Sequence, residues 1–467
     1  MTNKARNILI FLGLSTALVG GAGWYLLSGD TAELDIAEVS GPSPVISAPR
    51  KETFPTINVA DVKVWGAGEA PEAAQGLKVA RFADGLDHPR SMLVLPNGDV
   101  LVAETNSPPR ENKGVEGFVM RLLMNKAGAG VPSANRIALL RDADGDGKAE
   151  VKTALLEGLN SPYGMALVGD TLYVANTDAL MAYPFTPGTT KITAKGRKII
   201  DLPSQKPNNH WTRNLLANAD GSKLYVSIGS ATNIAEKGLE AEKGRARIIE
   251  VDLATGKKRD YAVGLRNPVG IAWEPNSEAL WTVVNERDML GSDLVPDYLT
   301  RVDAGMHFGW PWNYWGGYED FRVEPRRQEL REYTRRPDYA LGSHVAPLGL
   351  TFASKAALGG GFANGAFVAL HGSWNRKPAS GYKVVFVPFG SDGRPAVKRN
   401  ADGKVTAGLP VDVLTGFLSK QGDAKGRPTD VTIDATGALL VTDDVAGIVW
   451  RVSNPQVKAK PVETAMR

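Results

Sequence analysis

No cysteine occurs anywhere in the 467 residues. That excludes disulfides, thiolate metal sites and a cysteine nucleophile, so redox chemistry would need a bound cofactor. An excess of one charge is lacking as well: 54 lysines and arginines against 51 aspartates and glutamates leave a net +3, evenly spread, with no basic stripe to track a nucleic acid. A glycine-rich phosphate loop is absent, because "GDTLYVAN" and "ALGGGFANG" supply turn glycines between strands and neither leads into a helix. Amphipathic helical periodicity between strands is also missing, which argues against a parallel α/β fold, and no short strict period marks a solenoid. What remains is a chain that is 43% hydrophobic with 51 glycines, enough for a large and turn-rich core.

The N-terminus stands apart from this. After Lys4 and Arg6, Ile8 to Leu27 runs uncharged for about 20 residues, the length a helix needs to cross a bilayer core. The run has no polar face, which distinguishes it from a buried core helix, and neither an A-x-A cleavage site nor a lipobox cysteine follows it. Residues 1–28 are therefore expected to be an uncleaved signal anchor in the inner membrane, with the remainder in the periplasm. Residues 29–75 form a linker and N-terminal extension, the linker running through "SGPSPVISAPRKE" to about Thr56. A folded domain is expected over 76–455, and a tail over 456–467.

Within that domain the chain repeats itself. "LDHPRSMLVLPNGDVLVAE", "LNSPYGMALVGDTLYVAN", "NHWTRNLLANADGSKLYVSIG", "LRNPVGIAWEPNSEALWTVVN", "HVAPLGLTFAS…GAFVALHGS" and "GRPTDVTIDATGALLVTDD" are six copies of one pattern. Each has a polar approach with Pro or Thr, a short apolar strand, a turn of Asn, Asp or Gly, and a second strand of the L-Y-V or L-L-V type, which is hairpin grammar. Copies recur at intervals of roughly 50 to 80 residues, leaving room for four strands each. The expected fold is all-β, a six-bladed β-propeller preceded by the N-terminal transmembrane or signal-anchor helix.

In a propeller the approach to each inner strand lies at one mouth of the central channel. The six approaches carry His88 and Arg90, Asn160 and Tyr163, His210 and Arg213, Arg266 and Asn267, His344, and Arg427 and Asp430. Such residues also cap strands and satisfy loop backbone, the plainer reading for His88, His344 and His371 taken singly. Convergence favours a site at His210 and the arginines. Several guanidinium groups around one mouth suit a ligand with several carboxylates or phosphates, which they pair bidentately, and without a phosphate loop a polycarboxylate fits better than a nucleotide.

The motifs "NNHWTRNLLANADGSKLYVSIG", "GLRNPVGIAW", "VVNERDMLGSDLVPDYLTRVDAGMHFGWPW", "VAPLGLTF", "FVALHGSWNR" and "GRPTDV" together resemble the sorbosone dehydrogenase group of soluble-glucose-dehydrogenase-like quinoproteins. The resemblance spans roughly Gly76 to Ser453. It implies a six-bladed propeller that binds pyrroloquinoline quinone, a tricarboxylate, together with calcium, and oxidises a sugar or sugar-derived aldehyde by hydride transfer to the quinone. His210 matches the catalytic histidine, and Arg266 and Asn267 match the Arg-Asn pair on the quinone. Asn285 stands where the group has a cofactor-contacting glutamine, while Glu286 and Arg287 stand where backbone carbonyls hold calcium. Arg427 matches the first of two cofactor arginines; the second is replaced by Thr429, and Arg376 or Lys377 is expected to stand in for a missing lysine. The substrate and the electron acceptor are left open.

Three further readings complete the set. "DADGDGKAE" places Asp142, Asp144 and Asp146 as in the first half of an EF-hand loop, with Thr153 rather than Glu at the twelfth position, so a second calcium site and a plain acidic turn both remain open. Asp288 to Ser343 reads as a long aromatic loop that covers part of the mouth or packs on a neighbouring blade. The rivals to a dehydrogenase are a calcium-dependent propeller hydrolase such as a lactonase, with Glu104, Asn176, Asn267 and Asp443 as ligands, and a non-catalytic anchored propeller that binds partners.

Overall fold

The structure, a computed structural model, describes residues 29–50, 56–109, 114–400, 402 and 405–457. Its antiparallel sheets form a ring of six blades. Blade 1 holds Pro89–Val94, Val100–Glu104, Arg136–Arg141 and Val151–Leu156; blade 2 holds Met165–Val168, Thr171–Ala175, Ala179–Pro184 and Arg197–Asp201. Blade 3 is built from Leu215–Ala217, Lys223–Ile228, Arg247–Asp252 and Lys258–Val263, and blade 4 from Asn267–Trp273, Leu280–Asn285, Pro296–Val302 and Tyr339–Ser343. Blade 5 comprises Pro347–Phe352, Gly365–Leu370, Lys383–Pro388 and Val411–Thr415. Blade 6 takes three strands from the C-terminal part, Pro428–Ile433, Leu439–Asp443 and Ile448–Ser453, and its outermost strand, Lys78–Ala83, from the N-terminal part. The six sequence copies supply the two inner strands of the six blades.

The repeated L-Y-V strands follow from burial on both faces. Alternate residues of a strand point to opposite sides, and here each side meets another blade. Leu101 and Ala103 join a cluster with Leu172 and Val174 of blade 2, whereas Val100 and Val102 join Leu440 and Val449 of blade 6. The same division recurs around the ring, so each of the six blade interfaces has its own apolar cluster. A seventh, Tyr163, Trp211, Val269 and Leu348, comes from the approaches and inner strands and lies at the axis.

Glycine lets the inner strands close on that axis. A Cβ on Gly349 would lie 2.6 Å from Asp430 Cα and 2.7 Å from Val431 N; on Gly270 it would lie 2.7 Å from the Leu348 carbonyl oxygen; on Gly164 it would lie 2.3 Å from Leu215 N. The ring closes between blades 6 and 1, where Asp430 Oδ2 accepts from Met92 N at 2.7 Å.

Two segments differ from the sequence reading. The stretch 288–343 is not one long loop: it contains the two outer strands of blade 4, and Phe308, Tyr314 and Trp315 are buried in the interface between blades 3 and 4. Its aromatics are structural because that sheet needs its outer face filled. Residues 29–50 are not a free linker either. Ser40–Gly41 pairs with Tyr339–Ser343 as a fifth strand of blade 4, and Glu33 N and Leu34 N donate to Asp293 Oδ2. A helix not anticipated from the sequence, Gly114–Lys126, lies between the second and third strands of blade 1. No helix among the described residues is long and apolar enough to cross a membrane, and the anchor expected over Ile8 to Leu27 lies outside the described residues.

Gly349→Ala should lower stability by about 1–3 kcal/mol, the scale of overpacking against backbone that cannot move aside. Thermal melts should show this drop, and should show none for Gly360→Ala, whose added Cβ meets nothing within 4 Å.

Candidate functional site

The mouth is where approaches and second strands end together. In blade 4, Asn267 stands opposite Asn285, and in blade 1, Pro89 stands opposite Glu104. Polar side chains collect at this end because the interiors of the sheets are closed to them.

His210 sits half-buried before the inner strand of blade 3. Its Nδ1 lies 3.0 Å from the Ser230 carbonyl oxygen and 2.9 Å from Ser230 Oγ, while that hydroxyl donates onward to the Thr232 carbonyl at 2.7 Å. A carbonyl can only accept, so Nδ1 carries the proton and the neutral ring has its lone pair on Nε2. The loop behind is clamped by Arg213, fully buried, which donates to the carbonyls of His210 (2.8 Å), Thr212 (2.8 Å) and Pro203 (2.6 Å). Gly229 brings His210 and Asn267 together, since a Cβ there would lie 2.4 Å from Asn267 Oδ1 and 2.5 Å from His210 Cβ. Asn267 Oδ1 is buried without a hydrogen-bond partner.

On the blade 4 side, Arg266 is fully engaged by the protein. Nε donates to the Asn233 carbonyl (3.1 Å), one terminal nitrogen to the carbonyls of Asn285 (3.2 Å) and Glu286 (2.6 Å), and the other to Asn233 Oδ1 and Asp288 Oδ2 (both 2.9 Å). All five of its N–H groups are therefore in use. Burial would raise the Asp288 pKa, but Arg266, His344 and His210 hold it below the usual carboxylate range. Burial works against a charged His344, yet Asp288, at 3.4 Å, and Asp297 raise its pKa. Asp297 itself, buried beneath with both oxygens accepting backbone N–H groups, is pushed up to about 7 by burial.

Across the mouth a second charged group joins blades 1, 5 and 6. Asp444 Oδ2 meets Arg90 at 2.5 Å and His371 Nε2 at 2.9 Å. Burial and then the nearby Arg427 charge push His371 down to about 4. Asp444 is held far below the carboxylate range, against its burial, by His371 and Arg90. Among the described residues Arg427 gives two of its five N–H groups to partners, the carbonyls of His371 (3.2 Å) and Gly372 (3.1 Å), and its guanidinium lies 5.4 Å from the centre of the Tyr382 ring. Arg90 stands 5.9 Å over Trp211, with its Nε buried and unpartnered. Asn176 Oδ1 and Asp444 Oδ1 are unpartnered too.

A sequence model of the TrAA12-like family matches residues 71–298 and 324–455. The chain belongs to the TrAA12-like family. It is similar to a protein of Hypocrea jecorina named pyrroloquinoline quinone-dependent sugar dehydrogenase, 24% identical over 425 residues, which cover 82% of this chain and 89% of that one. Its fold matches the calcium structure of a Trichoderma reesei carbohydrate-active enzyme of family AA12 with a TM-score of 0.66, at 20% identity, over 82% of this chain and 97% of that one. It also matches the holo form of the quinone domain of a Coprinopsis cinerea pyranose dehydrogenase with a TM-score of 0.63, at 20% identity, over 85% and 100% of the two chains. The quinoprotein resemblance read from the motifs agrees with these relatives.

Placement of the expected residues is uneven. His210 and Asn267 meet at the mouth. Arg266 lies there but faces its own loop, and Asn285 bridges blades, Nδ2 donating to the Pro347 carbonyl at 2.6 Å. Arg376 and Lys377 do not turn to the mouth: Arg376 donates to the Leu34 and Pro378 carbonyls, and Lys377 is exposed, with its carbonyl bonded to Ala32 N. The extension 29–50, read from the sequence as a linker, bonds the Arg376 side chain and the Lys377 backbone. Glu286 and Arg287 pair with each other, at 3.0 Å, with their side chains buried. The Glu286 carbonyl already accepts from Arg266, so a calcium ion there would sit beside a guanidinium and rely on Asp288 to offset the charge.

Asp142, Asp144 and Asp146 do come together, closed by Glu150 rather than by Thr153, with one ligand oxygen of each within 4.8 Å of the others. The ligand set of the hydrolase reading does not form. Glu104 is engaged by Arg136 (2.9 Å) and Asp443 by the indoles of Trp65 (2.9 Å) and Trp450 (3.2 Å). Ser230, Asp288 and Asp444 were missed. Their one signal is position: each follows closely on the second strand of its blade, as Glu104 and Asn176 end or follow theirs.

The His371 shift predicts an acid-side loss of stability. The ring titrates near 6.5 when unfolded and near 4 when folded, so the neutral folded form is fully favoured above about 6.5 and its advantage is lost as pH falls towards 4. At about 1.4 kcal/mol per pH unit, the contribution is on the order of 3 kcal/mol. Denaturant melts of His371→Gln between these limits should therefore fall less steeply than those of the wild type; equal slopes would refute the assignment.

Proposed function

We propose that this chain is a pyrroloquinoline quinone-dependent dehydrogenase that oxidises a hydroxyl of a sugar, or of a hydrated sugar-derived aldehyde of the sorbosone kind. The observation that carries the proposal is the pinned His210 tautomer beside a set of buried polar atoms that lack partners, Arg90 Nε, Asn176 Oδ1 and Asn267 Oδ1. That set fits a planar tricarboxylate, since guanidinium N–H groups meet carboxylates and amide groups can serve ring substituents. Arg90 and Arg427 would hold its carboxylates, with Asn267 beside His210. Bound there, the quinone supplies a two-electron acceptor. Calcium is proposed at the Glu286 and Arg287 carbonyls with Asp288 as the nearby negative charge. The chain is further proposed to be periplasmic and tethered to the inner membrane through Ile8 to Leu27.

What the protein itself does centres on one proton. Oxidation of a hydroxyl releases it, the arginines cannot accept it, and His210 Nε2 is the lone pair oriented by Ser230. Trp211, packed on Tyr163 at 6.2 Å between ring centres, closes the floor beside it and excludes water.

His210→Gln should fold and bind the quinone yet turn over more slowly by roughly 10² or more, the usual scale for a lost general base. Steady-state rates per bound quinone across pH test this, and near-normal turnover would remove His210 from the mechanism. Arg427→Ala should weaken quinone binding by on the order of 2–5 kcal/mol, read by absorbance titration, whereas Arg266→Ala should chiefly loosen the 285–288 turn. Exhaustive chelation should remove activity and quinone together, and calcium should restore both.

A further inference from the structure

The helix Gly114–Lys126 leaves blade 1 at the end of the sheet where Glu104 stands opposite Pro89 and Thr105 N donates to the His88 carbonyl. It therefore stands on the mouth face. Phe118, Val119, Met120 and Leu122 are 51%, 42%, 40% and 53% exposed, an unusual run for a surface helix, whose apolar residues normally face the body. Arg121 lies 5.5 Å from the centre of the Phe118 ring, and Lys126 ties the helix to Asp61 at 3.5 Å.

The start of the described chain bears on what this face meets. The described chain begins at Gly29, two residues after the uncharged run Ile8 to Leu27. From there it is pinned at once: Asp30 N donates to Thr56 Oγ1 at 2.7 Å, Ser292 N donates to Asp30 Oδ2 at 2.7 Å, and Ala32 N donates to the Lys377 carbonyl at 2.7 Å. Ser292 and Lys377 lie in the loops that follow the second strands of blades 4 and 5, so they too are on the mouth face. An apolar run joined by so short a segment leaves that face little freedom to turn from a bilayer holding the run. Trp374, 39% exposed, adds apolar surface on the same side.

We propose that the blade 1 rim of the mouth face docks on the lipid bilayer at a tilt that leaves the pit open to solvent, with Phe118, Met120 and Leu122 entering the boundary between headgroups and acyl chains and Arg121 meeting anionic headgroups. Apolar area and basic side chains on one helix are the combination that holds a helix in the interfacial plane. The proposal builds on the tether of the preceding section but is measured apart from it.

Because the chain lacks cysteine, one label can be placed at will. Met120→Cys and, as a control in the turn at the far end of blade 4, Asn276→Cys would each carry an environment-sensitive fluorophore on the full chain, reconstituted with vesicles of phosphatidylethanolamine and phosphatidylglycerol. Spin-labelled lipid should quench position 120 severalfold more than 276, and aqueous iodide should do the reverse. Alkaline carbonate extraction of the same vesicles reports the tether separately. A chain that resists extraction while iodide reaches both labels equally overturns the docking and leaves the tether standing. Extraction with lipid quenching of position 120 beforehand overturns the tether and supports the docking. A label at 120 shielded from both quenchers means that protein covers the helix, and overturns the proposal.

Discussion

Burial of both faces of every blade is the constraint from which the rest follows. A sheet exposed on one side can alternate apolar and polar residues, but a sheet sandwiched between two others cannot, so its second strands become apolar nearly throughout. Trp281 and Thr282 show the limit: both are fully buried, and the threonine is admitted because its hydroxyl bonds the Gly270 carbonyl at 2.9 Å. Polar chemistry is thereby driven to the strand ends. Six strand ends and six approaches meeting at one mouth make a dense polar ring.

Close approach of the inner strands turns that ring into a pit rather than a pore. Tyr163, Trp211, Val269 and Leu348 fill the axis beneath it, so a ligand reaches the site from one side. Much of the positive charge around the pit holds the loops in place: Arg266 fixes the 285–288 turn and Arg213 fixes the loop bearing His210. Under the proposed function, the groups left to meet a ligand are those whose hydrogen bonds are incomplete, chiefly Arg90, Arg427 and Asn267.

The propeller was legible in the sequence because two-sided burial prints itself as a repeated strand, and the mouth was legible because each approach sits against a Pro or Thr at a fixed place before that strand. The place of His210 at the mouth was legible for this reason, while the role expected of it came from the resemblance. What sequence does not carry is the direction of a long side chain. Arg266 and Arg376 sit in the expected loops, but one folds back onto five backbone and side-chain acceptors and the other turns outward to the Leu34 carbonyl. Partners remote in the chain decided both, and spacing could not reveal them. The helix Gly114–Lys126 escaped notice because its apolar residues run consecutively and lack the one-sided period that marks a helix packed on a core. The outer strands of blade 4 were hidden by their aromatic, glycine-rich setting, which reads as loop.

The sixth blade takes Lys78–Ala83 from near the start of the chain and pairs it with Ile448–Ser453 near the end. The order of synthesis then matters. While the chain is being made, its first propeller strand has nothing to bond until its last has been translated, and Asp430, which closes the ring against Met92, arrives almost as late. Closure is thus a terminal event rather than a gradual one. A chain that grows from its N-terminus therefore cannot complete its ring until its C-terminal strands are available.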